Sequence, residues 1–287
     1  GCVTKQRGEV EDYRLAEVRS KYVKDNVVGV RGLRNETKVE YRARSILEYA
    51  RSLALDAKTK DNITDKIKCY RDAIEELKFI MDKVLSEDIA VVTSGKVDTK
   101  VEYSFYAALF NDWASYLEQI AWFNNQGKKV KDIGLFDESL TMYRRSLALC
   151  GLSLSKYDNV ERRILIEVEI SRIESTGGLS TDVTLENPGQ ISATLISLEK
   201  HIKLLEAKIK EVEALNVTEE FTDVRKKKLY ASLKSMLVQA LCQKIFFVNK
   251  QHADKIKSKD LTIQDTYKLV ITEADGIEWQ YIDDPYY

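Results

Sequence analysis

Between Lys100 and Phe123 the chain is apolar around most of a helix and polar along one narrow stripe. Ala108, Asn111, Asp112, Ser115 and Gln119 recur at three- and four-residue spacing and so share a face, while Phe105, Tyr106, Leu109, Phe110, Trp113, Leu117 and Ile120 cover the rest. A helix this apolar has to be buried, and a stripe that stays polar has to reach water. The pattern therefore predicts a buried helix lining a groove, which argues for a binding surface rather than for catalysis.

Helical periodicity runs through about eight segments. The first, roughly 9–33, carries Val10, Tyr13, Leu15, Val18, Tyr22, Val27, Val30 and Leu33, with Gly29 and Gly32 weakening its end. A second, 37–57, sets Ile46, Leu47, Ala50, Leu53 and Ala54 on one face. Asp61, Asn62 and Thr64 are good caps for a third, 63–85, striped by Ile67, Tyr70, Ile74, Leu77, Ile80, Met81 and Val84. After the apolar helix, the polar run from Asn124 to Lys129 makes a break. Further helices are predicted over 135–154 (Leu140, Tyr143, Leu147, Leu149, Leu152), 158–174 (Val160, Ile164, Ile166, Val168, Ile170, Ile173), 190–214 and 219–250, with a loop around Gly177 and Gly178. Residues 1–8 read as a disordered start or tag remnant, 9–250 as one all-helical domain, and 251–287 as an extension that ends acidic and aromatic.

Composition supports a helical array and little strand. Only two prolines and 12 glycines punctuate the 287 residues, 44% are hydrophobic and 32% charged. A formal net charge of -1 gives no global pull toward nucleic acid or anionic membrane, so nucleic acid is not the expected partner. No run approaches the roughly 18 apolar residues of a membrane span. Cys2, Cys69, Cys150 and Cys242 are isolated, which reads as reduced thiols in a cytoplasmic or nuclear protein. Gly1-Cys2-Val3-Thr4-Lys5 resembles a lipidation start, but Lys5 stands where that motif needs Ser or Thr.

Several motifs then fall in order. They are Leu15-Ala16-Glu17 with Lys21-Tyr22; Tyr70-Arg71-Asp72-Ala73-Ile74-Glu75-Glu76-Leu77 followed by Val84-Leu85; Asn111-Asp112-Trp113-Ala114-Ser115-Tyr116-Leu117; Glu138-Ser139-Leu140 through Tyr143 and Leu149; and Ile164 to Glu174. Across roughly residues 12–245 this set resembles the 14-3-3 family, the all-helical dimeric adaptors that bind phosphoserine or phosphothreonine peptides. The resemblance implies an antiparallel array of about nine helices forming a cup with a concave peptide groove. It also implies a homodimer, phosphorylated proteins or peptides as partners, and no cofactor. Arg51 and Lys58, seven residues apart, stand near the family's phosphate-binding pair, and Asp112, Ser115 and Tyr116 match its fifth-helix motif. Glu167 falls where the family has a peptide-binding Asn.

The pocket so implied is altered. Ser115 replaces an Arg, and losing one charged hydrogen-bond partner removes about 1.5–3 kcal/mol. A carboxylate at Glu167 would repel a phosphate dianion. Tyr116 reads either as groove-lining or as a core tyrosine, and Arg51 and Lys58 either as phosphate ligands or as solvated charges. The sequence supports no enzyme and no metal site, because His201 and His252 sit among polar residues and read as surface positions, and no glycine-rich phosphate loop is present. The alternative to the phosphopeptide adaptor is a non-catalytic helical scaffold that binds protein partners, or RNA, with no phosphate requirement. In a narrower expectation, the acidic tail from Glu273 to Asp284 docks intramolecularly and competes for Arg51 and Lys58.

Overall fold

The computed structural model describes residues 38–86, 103–126, 134–152, 156–176, 188–251 and 261–278. Among these residues the fold is all-α, with eight antiparallel-packed helices and no strand. They are α1 (Lys38–Asp56), α2 (Ile63–Phe79), α3 (Tyr103–Asn125), α4 (Gly134–Cys150), α5 (Lys156–Thr176), α6 (Pro188–Glu213), α7 (Asp223–Gln251) and α8 (Leu261–Asp275). The segment expected over 9–33 lies outside the described residues. No helix among those described is long and apolar enough to cross a membrane.

The helices sort into two compact units, α1–α4 and α5–α8. In the first, α1 ends in a 3₁₀ turn, Ala57–Thr59, and the chain re-enters helix at α2 under an Asn62 cap, whose side chain accepts from the Asp65 backbone N–H at 2.8 Å. α2 runs on through a π turn, Ile80–Val84, closed by the Leu85 N–H to the Ile80 carbonyl at 2.8 Å. In a plain α-helix residue 85 would sit about 140° round the axis from residue 80. The wider turn brings Leu85, 2% exposed, onto the same buried face as Leu77 and Ile80.

α3 and α4 approach closely because small residues line their contact. Ala107, Ala114, Ser139 and Ser146 are all buried. Ser139 Oγ donates to the Ala114 carbonyl at 2.6 Å, and Ser146 Oγ donates to the Ala107 carbonyl. Each hydroxyl uses the second lone pair of a helix carbonyl, so two buried polar groups are satisfied without cost to the helix. α4 stops at Cys150; Leu152, expected in its apolar stripe, lies beyond the helix end in a turn and is 39% exposed.

In the second unit, Ile164, Val168, Leu198, Leu205, Phe221, Leu233 and Phe247 form one core across α5, α6 and α7. Lys226 Nζ fastens the α6–α7 corner by donating to the Glu213 and Leu215 carbonyls at 3.0 and 2.7 Å, which satisfies two acceptors left over at the end of α6. α8 was not expected from the sequence. Its Thr266, Val270, Glu273 and Ile277 recur at helical spacing; Thr266 and Ile277 are buried, Val270 packs on the core, and Glu273 pairs with Lys234 of α7. His201 is not a surface residue as read from its neighbours: it is 3% exposed and shares a 2.9 Å hydrogen bond between its Nδ1 and Ser171 Oγ. His252 lies outside the described residues.

Two outcomes test this packing. Ala114→Leu forces a branched side chain into a 0%-exposed site and lowers unfolding free energy by about 1–3 kcal/mol in urea titrations, whereas Ala148→Leu on the exposed face of α4 changes it little. Burial, helped by Arg172 and opposed by Glu169, pushes His201 down to about 4 from 6.5. The unfolded chain then binds the extra proton between those values, so this contribution is whole above pH 6.5 and is lost as pH falls toward 4. Between pH 7.5 and 4.5 the wild type loses about 2–3 kcal/mol more than His201→Gln, measured by urea unfolding at each pH.

Candidate binding surface

The polar stripe of α3 lies where its spacing places it. Asn111, Asp112, Ser115 and Gln119 are all half-buried, flanked at the ends by half-buried Phe105 and Trp122, while Tyr106, Leu109, Phe110, Leu117 and Ile120 are buried. Ala108, the small member of the stripe, is itself buried at 9% exposure. α3 packs most closely on α4 and then on α2, and it also touches α1. On α1, the residues Arg44, Glu48, Arg51 and Leu55 share a stripe by helical phase, with Arg51 and Leu55 exposed.

One ion pair joins the two stripes. Arg51 Nε donates to Asp112 Oδ2 at 2.6 Å, with the side chains 47% and 17% exposed. Asp112 is therefore a helix-to-helix partner. Its charge has a cation already beside it, and so does that of Arg51. On α1 itself Arg44 Nη1 pairs with Glu48 at 2.9 Å. The result is a face whose nearest charges cancel in pairs and whose remaining polar groups are the hydroxyl of Ser115 and the amides of Asn111 and Gln119.

Tyr116 sits next to this pair but belongs to the core. It is 7% exposed, and its ring lies 6.0 Å from that of Tyr70, which in turn stacks on Phe123 at 6.4 Å. Burial, and then the neighbouring Asp112 carboxylate, push its phenol up; Arg51 works the other way. The phenol thus stays a neutral donor. The aromatic row Tyr116, Tyr70, Phe123 continues to Trp122, edge-on to Phe123 at 5.0 Å. Trp122 and Phe123 were absent from the sequence-based candidates, although Phe123 follows Tyr116 by seven residues and two turns.

The other expected residues lie elsewhere. Lys58 is exposed on the 3₁₀ turn after α1, about 11 Å farther along the axis than Arg51. Glu167 is on α5, in the second unit, where it pairs with Arg163 at 3.4 Å and with Lys208; Arg163 and Lys208 also hold Glu211. Glu273 of the acidic tail is held by Lys234 on α7, so this member of the tail is committed within its own unit rather than to Arg51. The remainder of that tail, from residue 279, lies outside the described residues.

Compared with protein-family models, curated proteins and solved structures, the chain matches none.

The Arg51–Asp112 link is half open to solvent, and screening keeps its worth small. A double-mutant cycle of Arg51→Ala and Asp112→Ala, read by urea unfolding, returns a coupling below about 1 kcal/mol that shrinks further in 0.5 M salt.

Proposed function

We propose that this chain is a non-catalytic helical scaffold whose α1/α3 face binds a macromolecular partner, a protein or an RNA, without requiring a phosphorylated residue. The observation that carries this reading is the internal Arg51–Asp112 pair: the cation best placed to meet a phosphate already has a carboxylate at 2.6 Å. A phosphate would have to displace Asp112 from Arg51, leaving a carboxylate 17% exposed beside the incoming dianion. Ser115, with a neutral hydroxyl in place of a guanidinium, supplies nothing to offset that. What the face does offer is half-exposed Trp122 and Phe105, the amide of Gln119 and the exposed Leu55, a mixture of aromatic anchors and uncharged hydrogen-bonding groups suited to a folded or extended partner.

A second reading keeps the phosphopeptide adaptor of 14-3-3 type, with its cup, its homodimer and its cytoplasmic or nuclear setting. It is favoured by the gathering of Arg51, Asp112 and Tyr116 at one place between α1 and α3. In that reading Arg51 exchanges Asp112 for phosphate, and Lys58 reaches in from the 3₁₀ turn.

Titration of matched phosphoserine and unphosphorylated peptide libraries, together with a mixed-sequence RNA, separates the readings. The scaffold reading expects one of the unphosphorylated probes to bind, with Trp122→Ala weakening it by at least about tenfold, a loss typical of an aromatic anchor. Binding that appears only with phosphoserine, and vanishes in both Arg51→Glu and Lys58→Glu, overturns the scaffold reading and establishes the adaptor.

A further inference from the structure

The second unit carries a groove of about 320 Å³ at the α6–α7 corner, walled by Val217, Tyr230 and Ala231 on its apolar side and by Lys226, Lys227 and Glu278 on its polar side. Val217 is 51% exposed, an unusual state for a branched apolar side chain at the mouth of a concave site. The chain itself arrives at this groove. α8 closes with the Gly276 and Ile277 N–H groups bonded to the Thr272 and Ala274 carbonyls at 3.2 Å each. Ile277 is then buried at 6% exposure, and Glu278, the next residue, already forms part of the wall.

Nine residues follow, Trp279-Gln280-Tyr281-Ile282-Asp283-Asp284-Pro285-Tyr286-Tyr287. Residues 277 and 278 are neither helix nor turn. A chain continuing extended from there alternates its side chains, which puts Trp279 and Tyr281 on the side that Ile277 occupies, the buried side. We propose that residues 279–287 occupy this groove in cis, with Trp279 and Tyr281 laid against Val217 and Tyr230. Three points select this occupant. The last wall residue is the residue that precedes it, so closing the loop costs almost no chain entropy. Its aromatic side chains match the exposed apolar wall. The carboxylates of Asp283 and Asp284 follow along the side that carries Lys226 and Lys227. The proposal concerns α6, α7 and the chain end, and it stands apart from the α1/α3 face.

The test uses the full chain with Trp113→Phe and Trp122→Phe, which leaves Trp279 as the only tryptophan. Acrylamide quenching of Trp279 is expected to be several-fold weaker than in a free peptide of residues 279–287, and to rise to the peptide value in Val217→Asp and in Tyr230→Ala. Hydrogen exchange followed by mass spectrometry on the unaltered chain gives a second reading, in which the amides of 279–282 exchange at least about tenfold slower than in the peptide and lose that protection in Val217→Asp. Quenching and exchange equal to the free peptide overturn the proposal. So does shielding that survives both groove substitutions, and so does shielding that grows with protein concentration, which would assign the segment to the groove of a second copy.

Discussion

The burial of α3 is the constraint from which the first unit follows. Its Tyr106, Leu109, Phe110, Ala114, Leu117, Ile120 and Ala121 face inward on more than one side. A helix with that much apolar surface needs neighbours around most of its circumference. α4 supplies the closest, and it can come close because alanine and serine, not leucine, fill the contact. α2 supplies the second through Tyr70 and its stacked aromatic partners. Only the strip that includes Asp112, Ser115 and Gln119 is left, and α1 meets it through a single charged link instead of an apolar seam. Close packing on two sides and a loose, polar meeting on the third leave the strip partly open to solvent.

The second unit is held differently. Its core is an unbroken apolar cluster, but its helices are also laced by charge: Arg225 to Glu161 between α7 and α5, Arg163 and Lys208 with Glu167 and Glu211 between α5 and α6, and Lys234 to Glu273 between α7 and α8. Each link is partly exposed and individually modest. Their effect is to fix the rotational setting of each helix, because an apolar stripe alone tolerates small rotations whereas a bidentate guanidinium does not. The Arg225 contacts at 3.2 and 2.6 Å to the two oxygens of Glu161 have that character. His201 and Ser171 add a neutral polar link across α5 and α6 in the same role.

Much of the secondary structure was legible in the residues. The 3.6-residue period of Tyr70, Ile74, Leu77 and Met81 and the cap at Asn62 place α2 within a residue at its start, and the alternation of apolar and polar positions in α3 locates its open strip. α8 escaped because Thr262, Ile263, Thr266, Val270, Ile271 and Thr272 are poor helix formers, and packing on α7 overrides that preference. His201 escaped because its sequence neighbours are polar while its helical neighbours across α5 are not, a distinction that needs the tertiary partner. For the candidate surface, the sequence located Arg51 and Asp112 but not their mutual bond, since two residues sixty-one positions apart show no period in common. Glu167 looked comparable to them by motif order, and the fold spends it on Arg163 and Lys208 instead.

The π turn at the end of α2 also says something about chain length. In a regular helix, adding or removing one residue rotates every later side chain by about 100°, which would swing an apolar stripe off its core. A five-residue turn takes up that change within itself. Leu77 and Ile80 before it and Leu85 after it all stay buried, although no regular helical period connects the last two. α2 thus has one place where its length is not tied to its orientation. The segment that leaves it at Ser86 begins from a direction set by the wide turn and independent of how many residues precede it.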